Sequence, residues 1–292
     1  MLLATDSYFH IGLSHLNSGR PCQDYALSRV YKDAAFAIVS DGCSSGGETD
    51  VGARILALST ALAMRDHWTT VRNIEVDTAP LEIDVRQRVM MAGSRETLGL
   101  SNLDMLATCV YAYITPHGGF IHLKGDGVLA YKKRNGNVCM SRYEWADNKP
   151  FYPAYIDDHF AGFIMEHGGD INAKRLTAEH WEYSHDGKFS ELPSEEFTLG
   201  EGIRGITRPF SVEELTYLDC IAVFSDGVTQ IEGLDWKDAV VELLAFKTTE
   251  GVFAKRRMMR VIKDAQKNGK SPIDDISYAV VRLITPEESD SI

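Results

Sequence analysis

The sequence predicts an α+β fold, because strand-like and helix-like segments come in groups rather than in a regular βαβ alternation. Strand runs gather between residues 8 and 42, between 105 and 142, and at 276–284. One pair of helical segments follows the first group and a second pair precedes the last strand.

Tyr25–Val30 and Ala34–Val39 are the clearest early strands, being short runs rich in apolar residues and bounded by turn residues. Thr49 or Asp50 can cap a helix that carries Val51, Ile55, Leu58 and Leu62 at helical spacing to about His67. A second helix is expected over 80–99, with Pro80 near its start and Leu81, Val85 and Val89 on one face. Strands then follow over 105–114, 120–124, 128–132 and 138–142, punctuated by Pro116-His117-Gly118-Gly119 and by the hairpin signal Asn135-Gly136. The stretch 143–210 is rich in Tyr, Trp, His, Asp and Gly without clear periodicity, and it predicts no defined element. Two helices are expected at 236–246 and 252–266, closed by Asn268-Gly269, and then a terminal strand at 276–284.

No Pro/Ser-rich linker or low-complexity run divides the chain, so residues 1–292 are read as a single domain with an atypical segment at about 143–210. The formal charge of -12 argues against a nucleic-acid partner, which calls for a basic patch. Five scattered cysteines without a CxxC pair suit reduced thiols. No N-terminal signal pattern and no run of roughly 18 apolar residues points to a membrane. The expectation is a soluble cytoplasmic protein, monomeric for want of a coiled-coil seam.

Chemistry is suggested by four acidic corners. Ala35–Gly42 and Cys220–Gly227 each close an apolar run on Ser-Asp-Gly, another run ends in Gly125-Asp126-Gly127, and Asp274-Asp275 precedes the last strand. Each aspartate would stand where a rigid strand opens into a turn. Converging carboxylates suit Mg²⁺ or Mn²⁺, hard cations that prefer oxygen ligands. Two such ions roughly 3.5–4 Å apart can activate a shared water and clamp a displacement at phosphorus. Gly42, lacking Cβ, could let its carbonyl approach an ion.

In combination and order these motifs resemble the metal-dependent PPM/PP2C protein serine/threonine phosphatases, in their divergent bacterial-type branch. Gly12–Leu16 followed by Arg20-Pro21-Cys22-Gln23-Asp24 is similar to the family's opening motif, and Ser40-Asp41-Gly42 with Gly46-Gly47 and a helix to its Asp-Gly motif. Gly125-Asp126-Gly127 resembles its Gly-Asp-Ser motif; Ser225-Asp226-Gly227 and Asp274-Asp275-Ile276-Ser277 resemble its last two. The resemblance implies an α-β-β-α sandwich of two antiparallel sheets flanked by helix pairs. It also implies hydrolysis of phosphoserine or phosphothreonine in proteins by a hydroxide bridging two Mn²⁺ or Mg²⁺ ions, without a phosphoenzyme. The substrate would be a phosphoprotein, a cognate serine/threonine kinase or that kinase's targets.

Carried over by residue, the resemblance makes Asp41 the bridging carboxylate, with Asp226 and Asp274 on the first metal and the Gly42 carbonyl on the second. Asp24 would act on the second metal or its waters, and Asp126 with Asp226 could hold a third ion. Turnover is expected to depend on Asp41 and Asp226. Arg20 is the phosphate-binding candidate, slightly closer to its aspartate than in the family, and His15 is read as structural. Asp275 stands where the family has Asn and is left out of the metal shell. Cys43 stands where some members have a histidine, and a thiol is a poor acid for an alkoxide at neutral pH.

Two other readings compete. Gly42-Cys43-Ser44-Ser45-Gly46 mimics a nucleophile elbow with Ser44 as nucleophile, but the last histidine is His185, far from the chain end where such a hydrolase places it. Alternatively, the chain is a catalytically inactive phosphatase fold serving as a regulatory or binding module.

Overall fold

A computed structural model describes residues 2–71, 75 and 78–285. In chain order its elements are β1 (Leu2–His10), α1 (Leu13–Ser18), β2 (Asp24–Tyr31), β3 (Ala34–Asp41), α2 (Thr49–Thr70), α3 (Ala79–Leu98), β4 (Cys109–Thr115), β5 (Gly118–Lys124), β6 (Gly127–Lys133) and β7 (Val138–Trp145). There follow α4 (Tyr155–Asp158), α5 (Phe160–Glu166), β8 (Lys174–Tyr183), β9 (Phe189–Thr198), α6 (Leu199–Arg204), β10 (Ile206–Phe210), α7 (Val212–Thr216), β11 (Leu218–Phe224), α8 (Trp236–Leu243), α9 (Phe253–Gln266) and β12 (Ile276–Ile284).

The runs Ala34–Val39 and Cys220–Phe224 are buried on both faces, which is why they read as continuous apolar stretches. They lie inside two antiparallel sheets of order β1-β12-β11-β6-β7-β8-β9 and β10-β5-β4-β3-β2. Between the sheets pack Val39, Val110, Ile121, Leu129, Val223 and Val281. Outside the five-stranded sheet, α2 and α3 cover Phe36, Ile38 and Tyr113 with Leu56, Met64 and Ile83. Outside the other, α8 and α9 cover Phe224 and Tyr278 with Val240, Leu243 and Met258. The expected α-β-β-α sandwich is the observed architecture.

Register brings the acidic corners to one end. Asp24 stands opposite Asp41 across β2 and β3. Val128 at the start of β6 pairs with Phe224 at the end of β11, which pairs with Tyr278 at the start of β12. The turns that carry Asp126, Asp226 and Asp274 are therefore neighbours.

Three local expectations need correction. Leu81, Val85 and Val89 are exposed, as are Leu58 and Leu62, while Ile55 is buried as expected; the buried faces are Gly52, Ala53, Ile55, Leu56, Ala57 and Met64 on α2 and Pro80, Ile83, Asp84, Gln87 and Met91 on α3. Small residues let α2 sit close to the sheet, and a Cβ on Gly52 would stand 1.9 Å from the Asp104 carbonyl oxygen. Asp84 is buried because it pairs with buried Lys124 of β5. The strand expected over 105–114 begins only at Cys109, since Leu103–Met105 forms a 3₁₀ turn whose neighbours bond to the loop after β3. The stretch 143–210 is ordered into the end of β7, a 3₁₀ turn at Ala146–Asn148, the short helices α4–α6 and β8–β10, and β8 and β9 widen one sheet to seven strands. α1 was also not anticipated.

The corrected face is testable by urea unfolding. Ile83→Ala should cost roughly 2–5 kcal/mol as a core truncation, whereas Leu81→Ser should stay within about 0.5 kcal/mol as an exposed change; the reverse order would restore the original face.

Candidate metal and phosphate site

Each aspartate is fixed by its backbone. Asp41 ends β3, and Thr108 holds it from both sides: its Oγ1 accepts from the Asp41 N–H at 3.1 Å and its N–H donates to the Asp41 carbonyl at 2.8 Å. The next residue, Gly42, bridges to Ala107, and a Cβ there would stand 2.9 Å from the Gln23 carbonyl oxygen. Among the described residues the Gly42 carbonyl accepts no hydrogen bond. Asp126 sits between Gly125 (φ 99°) and Gly127 (φ 134°), a left-handed pair that only glycine adopts readily. Asp226 opens a 3₁₀ turn after β11, and Gly227 behind it packs so tightly on the Asp275 carbonyl that no side chain would fit.

Electrostatically the corner is unbalanced. Asp24 is buried, and its Oδ2 has no hydrogen-bond partner. Burial pushes its carboxyl up to about 7, reinforced by the charges of Asp275 and Asp226 and opposed by the hydroxyls of Ser225 and Ser277. Asp126 is pushed up to about 8, by burial first and Asp226 second. Asp41 is driven well above the carboxylate range by burial and by Asp24 and Asp226, and lies within hydrogen-bonding reach of Asp226. Asp226 is raised chiefly by burial. Like charges directly opposite in a ladder are destabilising, so these groups lack a counter-charge.

Gln230 spans two of them: its Nε2 donates to Asp226 Oδ2 at 3.2 Å and to Asp274 Oδ2 at 3.4 Å. Asp274 Oδ1 accepts from the Asp275 N–H at 2.8 Å. His15, Asp274 and Asp275 form the one group among the described residues whose ligand atoms all lie within 4.8 Å of one another. Asp275, however, is already saturated. Its oxygens accept from the Gly12 N–H (2.7 Å) and the Gln23 N–H (2.6 Å) and pair with His15 Nδ1 (2.7 Å), so it ties the N-terminal segment to β12. The structural reading of His15 agrees with this arrangement.

Arg20 is exposed and donates through Nη1 to the Ser44 carbonyl at 3.0 Å, which places it on the loop after Gly42. The Ser44 hydroxyl has no histidine partner among the described residues, and Cys43 Sγ contacts Ser45 Oγ at 3.1 Å. The nucleophile-elbow reading thus lacks its base.

A cleft of about 680 Å³ opens beside the carboxylates, lined by Asp126 and Asp226 and, from β7 and β8, by Arg142, Lys174 and Arg175. Trp145, in the same wall, donates its indole N–H to the Gly125 carbonyl at 2.8 Å. Gln230, Thr108, Trp145 and these three cations are site residues that the sequence did not single out. Thr108, Trp145 and Lys174 meet partners far along the chain, and Gln230 and Arg142 join a near partner to a distant one.

The protein phosphatase 2C family model matches residues 11–153. No curated protein matches by sequence. Among solved structures, the serine/threonine phosphatase Stp1 from Staphylococcus aureus aligns over 98% of this chain and 96% of its own, at 11% identity and a TM-score of 0.55. A bacterial serine phosphatase aligns over 97% and 98%, at 11% identity and a TM-score of 0.53. The S. agalactiae serine/threonine phosphatase aligns over 97% and 100%, at 16% identity and a TM-score of 0.50. These likenesses establish the shared fold, and the match over residues 11–153 makes that part of the chain similar to the protein phosphatase 2C family.

Proposed function

We propose that the chain is a metal-dependent protein serine/threonine phosphatase that removes phosphate placed by a partner kinase. The observation that carries this reading is the Asp24–Asp41 cross-strand pair with its orphaned Oδ2 and raised carboxyls. Such a cluster fits hard divalent cations, because its donors are all oxygen and its surplus is negative. Asp41, Asp226, Asp274 and the Gly42 carbonyl would hold two ions, with Asp24 beside them and Asp126 with Asp226 offering a further, weaker place.

Bound divalent cations would supply a nucleophile at neutral pH and offset charge on the phosphoryl oxygens. The chain's own groups do the positioning. Gln230 orients the carboxylates of Asp226 and Asp274, and Asp275 with His15 keeps Gln23 and hence Asp24 in place. Arg20, whose Nη1 donates to the Ser44 carbonyl on the loop after Gly42, would receive a phosphoryl group through its remaining donors. Since Cys43 stands beside Ser45 with no histidine at its position, the proton for the leaving alkoxide comes from solvent.

Hydrolysis of a phosphothreonine peptide and of p-nitrophenyl phosphate is the direct test, with Mn²⁺, Mg²⁺ or EDTA. Turnover should require a metal and fall about 10²–10³-fold or more in Asp226→Asn, the scale of losing one electrostatic stabiliser. Ions bound by calorimetry with no turnover would instead indicate the inactive regulatory module.

The carboxyls also predict a pH dependence in EDTA. A folded-state value raised above the ordinary 3.8 means the folded chain holds protons that the unfolded chain releases, so stability falls as pH rises from about 4 to about 7–8. Thermal melts should show Asp24→Asn narrowing the gap between pH 5 and pH 8. An unchanged gap would remove Asp24 from the cluster.

A further inference from the structure

The cleft beside the carboxylates contains an arginine without an ionic partner. Arg142 pairs with Glu144 and, at 3.6 Å, with Glu179. Lys174 Nζ donates to the Glu196 carbonyl at 2.6 Å and stands 3.9 Å from Glu201. Arg175, partly buried at the start of β8, makes no salt bridge among the described residues, and its Nε is shielded from solvent without an acceptor. In a chain with 42 acidic and 30 basic residues, a guanidinium left unmatched in a cleft is unusual. Its position is also built: Nη2 packs on Gly168, where a Cβ would stand only 3.2 Å away. Arg20 and Ser44, by contrast, are outside the cleft's lining. The group that Arg175 receives is therefore distinct from the phosphoryl group assigned to Arg20.

We propose that Arg175, with Lys174 beside it, binds a second anionic group on the phosphopeptide substrate, a carboxylate or another phosphate close to the reacting residue. This rests on the phosphatase reading above. A planar guanidinium suits either anion bidentately, which a lysine cannot match. The specificity would thus come from residues 143–210, the part of the chain that the family motifs do not reach.

The test compares kcat/KM on three phosphothreonine peptides: one with neutral flanks, one with flanking aspartates, and one with a neighbouring phosphoserine. The wild type should favour the two anionic peptides over the neutral one by roughly 10- to 100-fold, the worth of a charge-assisted hydrogen bond. Arg175→Ala should collapse that ratio mainly through KM, and Arg175→Lys should restore part of it. A larger effect on the aspartate peptide names carboxylate as the ligand; a larger effect on the doubly phosphorylated one names phosphate. No preference in the wild type, or a ratio unchanged in Arg175→Ala, overturns the proposal. If the wild type releases no phosphate from any substrate under any metal, the phosphatase reading fails separately. Calorimetric binding of the same peptides to wild type and Arg175→Ala then tests the anion site by the same ratio.

Discussion

Everything at the working end of this molecule answers to one constraint: several carboxylates are buried together at the ends of rigid strands. Cross-strand register sets Asp24 against Asp41, and the Val128–Phe224–Tyr278 row sets the turns of Asp126, Asp226 and Asp274 side by side. Two sheets packed face to face cannot relax one strand end without moving its neighbours. Repulsion that a loop would relieve by swinging away is instead kept, and the site is primed for positive charge. The glycines serve that constraint, since Gly42, Gly125, Gly127 and Gly227 each stand where a Cβ would meet neighbouring atoms of the protein.

The contrast between Asp275 and Asp24 shows how the fold separates satisfied from unsatisfied buried carboxylates. Both are almost wholly buried. Asp275 is met by two backbone N–H groups and His15, which satisfies a charged acceptor in the way a buried charge requires. Asp24 is left with an oxygen that nothing in the chain satisfies. Adjacent to Asp274, the saturated Asp275 acts as a clamp that joins the N-terminal segment to the last strand. The pair with His15 keeps this clamp compensated.

Legibility in the sequence followed the range of the interactions. The central strands were readable because burial on both faces writes a continuous apolar run, and the aspartates because strand, acid and glycine are contiguous. The faces of α2 and α3 were not: close packing demands Gly52, Ala53 and Ala57 underneath, while the larger Leu58, Leu62, Leu81 and Val85 point outward, so side-chain size misidentified the buried stripe. The strands β8 and β9 were hidden for a related reason. At the edge of the sheet, β9 is almost entirely exposed and carries Glu191, Glu195, Glu196 and Pro193, the composition that blunts an open edge rather than the composition of a core strand. Trp145 acquires its meaning from Gly125, twenty positions back, and Gln230 in part from Asp274, forty-four positions on.

That late segment is nevertheless bound into the site. The indole of Trp145 packs against Phe163 and His167, with ring centroids 5.6 and 5.8 Å away, and against Gly202, while its N–H holds the Gly125 carbonyl. The wall that carries Arg175 and the turn that carries Asp126 thus share one packed side chain. A group engaging the wall and a cation engaging Asp126 act on the same rigid unit, and any coupling between them must be reciprocal. If the proposals above hold, substrate selection at the wall and charge balance at the carboxylates would be linked through this shared side chain.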